Sequence, residues 1–264
     1  MKVLDFKKLK KKDLFVFDLD GTLIRTKSPM DAEMSELLIK LLSVKKIAVI
    51  GGGKYAIFQE LFLRRLKCPE KLLKRLFLFP TTSTAFYRYN HGWKKIYALL
   101  LTTAEIIRIK KAFEDVFKEI GYKHPRKTYG KIIENRGTQV SFSVYGQDLV
   151  RVLGDRGVKM KEKWLRNNLK TKMRIAKLMT KKLPDLEARA AGFTTIDVTR
   201  RGIDKAYGLR QIQKHLKIPI KKMFFVGDAI FPGGNDYGVV RTGVDYLPVK
   251  GPEETKKVVR KLLG

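Results

Sequence analysis

The chain has 264 residues, 44% of them hydrophobic, and carries 57 lysines and arginines against 26 aspartates and glutamates, a formal charge of +31. That length buries a full core in one large domain or two moderate ones, and no stretch approaches the roughly 20 apolar residues of a membrane span. A single cysteine, Cys68, excludes an internal disulfide and fits a reducing, cytoplasmic setting, while the short apolar run Leu14 to Phe17, ending in aspartate, is not that of a signal peptide.

Leu14-Phe-Val-Phe17 is a continuous apolar run of the kind buried inside a parallel sheet, and it delivers Asp18 and Asp20 at its carboxyl end. A helix is expected over Met30 to Leu42, a strand over Lys46 to Ile50 ending in Gly51-Gly52-Gly53, a helix from Ala56 to Leu66, and a strand over Leu76 to Phe79 stopped by Pro80. This alternation predicts a doubly wound α/β sheet. From Ala85 the texture changes. Phe86 to Tyr89 and Lys95 to Leu101 read as strands paired around Asn90-His91-Gly92, followed by a helix from Ala104 to Ile120 and a strand over Thr138 to Tyr145. A basic helix and two strands, Glu187 to Ala190 and Thr194 to Val198, complete an α+β insert over 85–199. The parallel pattern resumes with a helix from Lys205 to Leu216, the strand Met223 to Val226 and a last helix from Pro252 to Leu263, so residues 1–84 and 200–264 form one interrupted core.

The densest positive stretch, Lys159 to Lys182, holds ten basic residues against one glutamate. Leu165, Leu169, Ala176 and Met179 fall at helical spacing within it, which describes an amphipathic helix with a cationic outer face. Nucleic-acid readers interleave aromatics, and only Trp164 stands nearby, so the charge is read as a lysine-rich solvated surface rather than as a nucleic-acid footprint.

Alternation along a strand sends Asp18 and Asp20 to one side, at the sheet edge where α/β proteins bind ligands. Two carboxylates in one small space repel unless a cation joins them or one holds a proton. Gly21 permits the sharp turn and Thr22 adds a hydroxyl donor. An isolated Asp-x-Asp is more often a strand-ending turn; here a second apolar strand delivers Asp228, and Pro232-Gly-Gly-Asn-Asp236 adds another acidic position. Carboxylates without histidine or cysteine make a hard-oxygen site suited to Mg2+, and Lys205 at a helix start supplies positive charge near a bound phosphate.

The set Asp18-Leu-Asp-Gly-Thr-Leu23, Lys205 and Gly227-Asp-Ala-Ile-Phe-Pro-Gly-Gly-Asn-Asp236 resembles the haloacid dehalogenase superfamily, subfamily IIB, whose α/β cap is inserted after the third strand. Within it the chain is similar to eukaryotic-type phosphomannomutases and to sugar-phosphate phosphatases. The resemblance implies Asp18 as nucleophile and Asp20 as general acid and base. It further implies Mg2+ held by Asp18, the Asp20 carbonyl and Asp228, with Asp236 supporting the metal shell, Asn235 orienting its neighbours and Lys205 on the phosphoryl oxygens. The substrate it implies is a small sugar phosphate, and the related mutases pair through their caps, an analogy for a homodimer.

Two departures stand out. The family's second motif places a serine or threonine hydroxyl where this chain has Gly53, leaving the backbone N–H groups of Gly52 and Gly53 as donors. The mutases' two cap arginines reduce to Arg136 and the neutral Gln147, which weakens a second phosphate site. The sequence therefore favours a phosphatase, with a hexose-phosphate mutase as the alternative and a basic nucleic-acid-binding protein on the same fold as a third reading.

Overall fold

The computed structural model describes residues 5–264. In chain order they form α1 (Phe6–Lys10), β1 (Leu14–Asp18), α2 (Ala32–Val44), β2 (Lys46–Ile50), α3 (Tyr55–Ile57) running on as a π-helical stretch Phe58–Leu63, α4 (Glu70–Leu73), β3 (Leu76–Phe79), a short turn α5 (Pro80–Ser83), and the hairpin β4 (Ala85–Tyr89) and β5 (Trp93–Ala98). Next come α6 (Thr103–Ile120), β6 (Ile133–Asn135), β7 (Val140–Ser143), α7 (Leu149–Lys182), β8 (Leu186–Ala191) and β9 (Thr195–Arg200). The chain closes with α8 (Lys205–Leu216), β10 (Met223–Gly227), β11 (Asp245–Pro248) and α9 (Pro252–Leu263).

Two compact units result, one running to Ala98 and resuming over Asp204–Gly264, the other comprising Leu99–Ile203. In the first, seven strands lie in the order β11-β10-β1-β2-β3-β4-β5, parallel from β11 to β3 and antiparallel thereafter. Every residue of β1 is buried, because Phe15 and Phe17 pack into the cluster with α2 and α9 while Leu14 and Val16 face Leu209 and Ile212 of α8. A strand covered on both faces is apolar along its length, as Leu14 to Phe17 are, and the buried Asp18 at its carboxyl end is the exception. Helices α2 and α9 are joined by Lys256, nearly buried and 2.8–3.0 Å from Asp31, Glu33 and Glu253.

The first unit extends past the boundary expected at 85. The hairpin β4–β5 belongs to the large sheet, since β4 pairs with β3 and Phe86 stacks on Phe79 at a 4.5 Å centroid separation. The return to the core likewise falls at Asp204 rather than at 200. Strand β11, too short and polar to show periodicity, was not legible in the sequence, and neither was β6.

The second unit is a four-stranded antiparallel sheet, β6-β7-β9-β8, whose residues Val140, Phe142, Ile196 and Val198 pack against Ile109, Phe113 and Val116 of α6 and Ile175 and Met179 of α7. The basic helix is longer than expected and broken: Gly154 and Asn168 leave helical geometry. Ala176 and Met179 are buried as their spacing predicts, whereas Leu169, on the same side of the Asn168 break as both, is 53% exposed.

Helix α6 opens on a capping box: Thr102 accepts from the Glu105 N–H, and the Glu105 carboxylate accepts from the Thr102 N–H and from Arg200. The Arg200 hydrogen bond, reinforced by the Thr102 contacts, holds the Glu105 carboxyl down to about 2. A depressed carboxyl stabilises the fold above its unfolded value and loses that contribution as pH falls towards its folded value. Thr102→Ala should therefore lower unfolding free energy by about 1 kcal/mol at neutral pH, and the stability difference between wild type and Glu105→Gln should shrink as the pH is taken from 5 towards about 2. Urea denaturation followed by circular dichroism across that range tests both.

Candidate active site

Strands β1 and β10 are adjacent and parallel, with Phe17 opposite Val226, so Asp18 and Asp228 emerge side by side at the carboxyl edge. Asp236 returns to the same place from the loop after β10, fixed by the Ala229 N–H donating to its Oδ2 at 3.1 Å. One oxygen from each of Asp18, Asp228 and Asp236 lies within 4.8 Å of the others. The close approach depends on two glycines. A Cβ at Gly21, where φ is +86°, would sit 2.5 Å from Asp228 Oδ2, and one at Gly227 would overlap the Asp236 carboxylate.

Lys205 enters from the first turn of α8 and donates to both Asp18 and Asp236, with all three side chains essentially removed from water. Asp204, the N-cap of α8, fixes that turn: its Oδ1 accepts from the Tyr207 N–H at 2.9 Å and its Oδ2 pairs with Arg241. The aspartate immediately before a predicted helix start is a legible N-cap signal, and it identifies Asp204 as the residue that aims Lys205.

The electrostatics follow from burial. Desolvation raises the Asp18 carboxyl well above its ordinary range, Lys205 opposes this, and Asp236 and Asp228 add to it. Desolvation and Asp236 push Asp228 up to about 6. Burial alone would weaken the charge on Lys205, but Asp18 and Asp236 outweigh it and hold the ammonium above its usual value. Three carboxylates around one ammonium remain short of positive charge, and a hard divalent cation fits that deficit and that donor set.

The other expected site residues are placed as follows. Asp20 is half-buried, its Oδ1 accepts from the Lys27 N–H at 2.7 Å, and its charge adds to the upward push on Asp228 although it is not one of the cluster of three. Thr22 is buried and its hydroxyl donates to Asp228 at 3.4 Å. Gly52 and Gly53 form the turn after β2, and Asn235 is exposed on the loop before Asp236. Arg136 and Gln147 lie in the second unit, where Arg136 donates to Gln147 Oε1 at 3.0 Å and to Glu134 at 2.8 Å and stands 4.0 Å from Asp197. The arginine side chain is only 8% exposed. One guanidinium thus faces two carboxylates.

Lys205→Met should destabilise the metal-free protein by about 3–5 kcal/mol, since two buried carboxylates lose their cation, and Mg2+ should recover part of that loss. Equal losses with and without Mg2+ would argue against a cation site here. Because Asp228 takes up a proton near 6, protons compete with the metal below that pH. The rise in melting temperature on adding Mg2+ should accordingly be larger at pH 8 than at pH 5, as read by differential scanning calorimetry.

Residues 15–238 match the profile of a family described as haloacid dehalogenase-like hydrolase. The phosphomannomutase of Encephalitozoon cuniculi is 26% identical over 96% of this chain and 94% of its own, and phosphomannomutase 2 of Dictyostelium discoideum is 25% identical over 94% and 96%. Among solved structures, an IMP-bound, N-terminally truncated IMP-nucleotidase of Plasmodium falciparum superposes with a TM-score of 0.67 at 20% identity, covering 98% of this chain and 71% of that one, a likeness of fold.

Proposed function

The chain belongs to the haloacid dehalogenase-like hydrolase family, and from that premise we propose that it transfers a phosphoryl group through Asp18 on a hexose phosphate, moving it between two hydroxyls as a mutase does. The observation that carries the transfer is the convergence of Asp18, Asp228, Asp236 and Lys205 at one sheet edge.

In this reading an Asp18 oxygen attacks phosphorus, the bond from phosphorus to the ester oxygen breaks, and Asp20 gives its proton to the departing hydroxyl. The Lys27 N–H fixes Asp20 Oδ1, so the other oxygen is the one left to carry that proton. In the second half Asp20 takes a proton from the incoming hydroxyl, whose oxygen attacks phosphorus and frees Asp18. Lys205 shares the charge on the transferring oxygens with its two carboxylate partners. Asp18, Asp228 and Asp236 would hold Mg2+, which when bound supplies electrophilic stabilisation of phosphoryl oxygens.

The acceptor is where the sequence leaned towards water, on the strength of Gln147. The likeness to phosphomannomutases extends over nearly the full length of both chains, inserted unit included, and that supports a sugar hydroxyl as acceptor instead. Hydrolysis stays as a second reading for one specific reason: Arg136 is already answered by Glu134, Asp197 and Gln147, which disfavours a dianionic second phosphate beside it.

Phosphorus NMR of the purified protein with Mg2+ and mannose 1-phosphate separates the two. Mannose 6-phosphate that forms only when a hexose bisphosphate is added supports the mutase; inorganic phosphate without isomerisation replaces it with a phosphatase. Asp18→Asn should lower either turnover by about 10⁴-fold while leaving the circular dichroism spectrum unchanged, and wild-type turnover in that variant would remove Asp18 from the mechanism.

A further inference from the structure

The turn α5 contains three consecutive residues with left-handed backbone, Thr81, Thr82 and Ser83, at φ values of 48°, 55° and 69°. Glycine or asparagine adopts this conformation readily; a β-branched threonine resists it, and two in succession followed by serine make a locally unfavourable run. A second unfavourable feature falls on the same turn. Ser83 Oγ is fully buried against Gly208 of α8 with no hydrogen-bond partner among the described residues. Strain of this kind persists where the surrounding structure imposes it, and such positions concentrate at functional sites.

The location is informative. The Thr81 N–H donates to the Gly53 carbonyl and the Thr82 N–H to the Gly51 carbonyl, both at 2.9 Å, so the strained turn is fastened to the triglycine turn. Gly51 follows Ile50, which stands opposite Asp18 in the β1–β2 register. The Thr82 side chain is partly exposed and its hydroxyl makes no hydrogen bond to the described residues. A hydroxyl with no partner among the described residues therefore lies on a turn fastened to the 51–53 turn, which has no hydroxyl of its own because position 53 is glycine.

We propose that Thr82 is a phosphate-binding residue whose hydroxyl donates to the phosphoryl group at Asp18, replacing the hydroxyl missing from the 51–53 turn, and that the left-handed run serves to present it there. This rests on Asp18 being the phosphoryl acceptor. A packing role would need only the side-chain shape, which valine reproduces, whereas this role needs the hydroxyl.

The test uses beryllium fluoride with Mg2+ as a phosphoryl mimic, its binding followed by fluorine NMR on the full chain, alongside turnover of mannose 1-phosphate and melting temperature. Thr82→Val should weaken beryllium fluoride binding and lower turnover by about 10- to 100-fold with little change in melting temperature. Thr82→Ser should stay within about threefold of wild type in both. Thr82→Gly, which removes the strain and the hydroxyl together, should melt higher than wild type yet bind as weakly as Thr82→Val. Wild-type binding in Thr82→Val, or equal losses in Thr82→Val and Thr82→Ser, would overturn the assignment. Asp18→Asn separates the two levels. If it binds beryllium fluoride as wild type does, or wild type binds none, the Asp18 reading fails and takes this inference with it; if only Thr82→Val is silent, Asp18 stands and Thr82 alone is dismissed.

Discussion

A lysine ammonium shut away from water between two carboxylates is the interaction around which the first unit is organised. Burying Lys205, Asp18 and Asp236 together is tolerable only because each answers the others, and the arrangement demands that β1, α8 and the loop after β10 all arrive at one point. The hydrophobic layers achieve this. Phe15 and Phe17 fix one face of β1 and Leu209 fixes α8 against the other, so the register of the sheet and the docking of the helix set the charges before any ligand is involved. The same constraint makes the centre responsive: Asp228 adds a third carboxylate that the single ammonium does not neutralise, and a cation or a proton has somewhere to go.

Much of this was legible in the sequence. The apolar run 14–17 leads directly into Asp18 and the run 223–226 leads through Gly227 into Asp228, and that pairing is enough to bring two carboxylates to one edge. Lys205 was legible as the first residue of a helix, whereas Asp204, the cap that aims it, emerged only with the structure. Other features were hidden for definite reasons. The β4–β5 hairpin carries the same alternation whether it belongs to the core or to an insert, and only the pairing of β4 with β3 decides. Leu169 shares the helical spacing of Ala176 and Met179 yet is exposed, because spacing identifies a face and not which turns of that face are covered. The left-handed run at 81–83 has neither glycine nor asparagine to announce it. Arg136 could be identified as a candidate, but its enclosure by Glu134, Asp197 and Gln147 depends on tertiary placement that no local pattern encodes.

The excess of positive charge also acquires a structural meaning. Among the 26 acidic residues set against 57 basic ones, several stand where a cation is buried or a helix is fastened. Asp31, Glu33 and Glu253 converge on Lys256 between α2 and α9, and Glu105 serves both a helix cap and Arg200. The remaining lysines are mostly solvated. Their long-range field favours the approach of a phosphorylated small molecule and weakens as salt rises.

The discontinuity of the core has a consequence for how the protein is made. Strands β1, β2 and β3 leave a ribosome early, but β1 lacks its β10 neighbour, and Asp18 lacks a lysine 187 residues further along the chain. At a synthesis rate of 5–20 residues per second that interval is roughly 10–40 s. Leu99–Ile203, by contrast, is continuous in the chain and holds its own sheet and core, so it is complete before α8 emerges. During that wait the nascent β1 presents an unpaired apolar edge, the kind of surface that molecular chaperones shield. The centre is thus assembled last, and a chain truncated anywhere before α8 would carry Asp18 without the groups that give it chemistry.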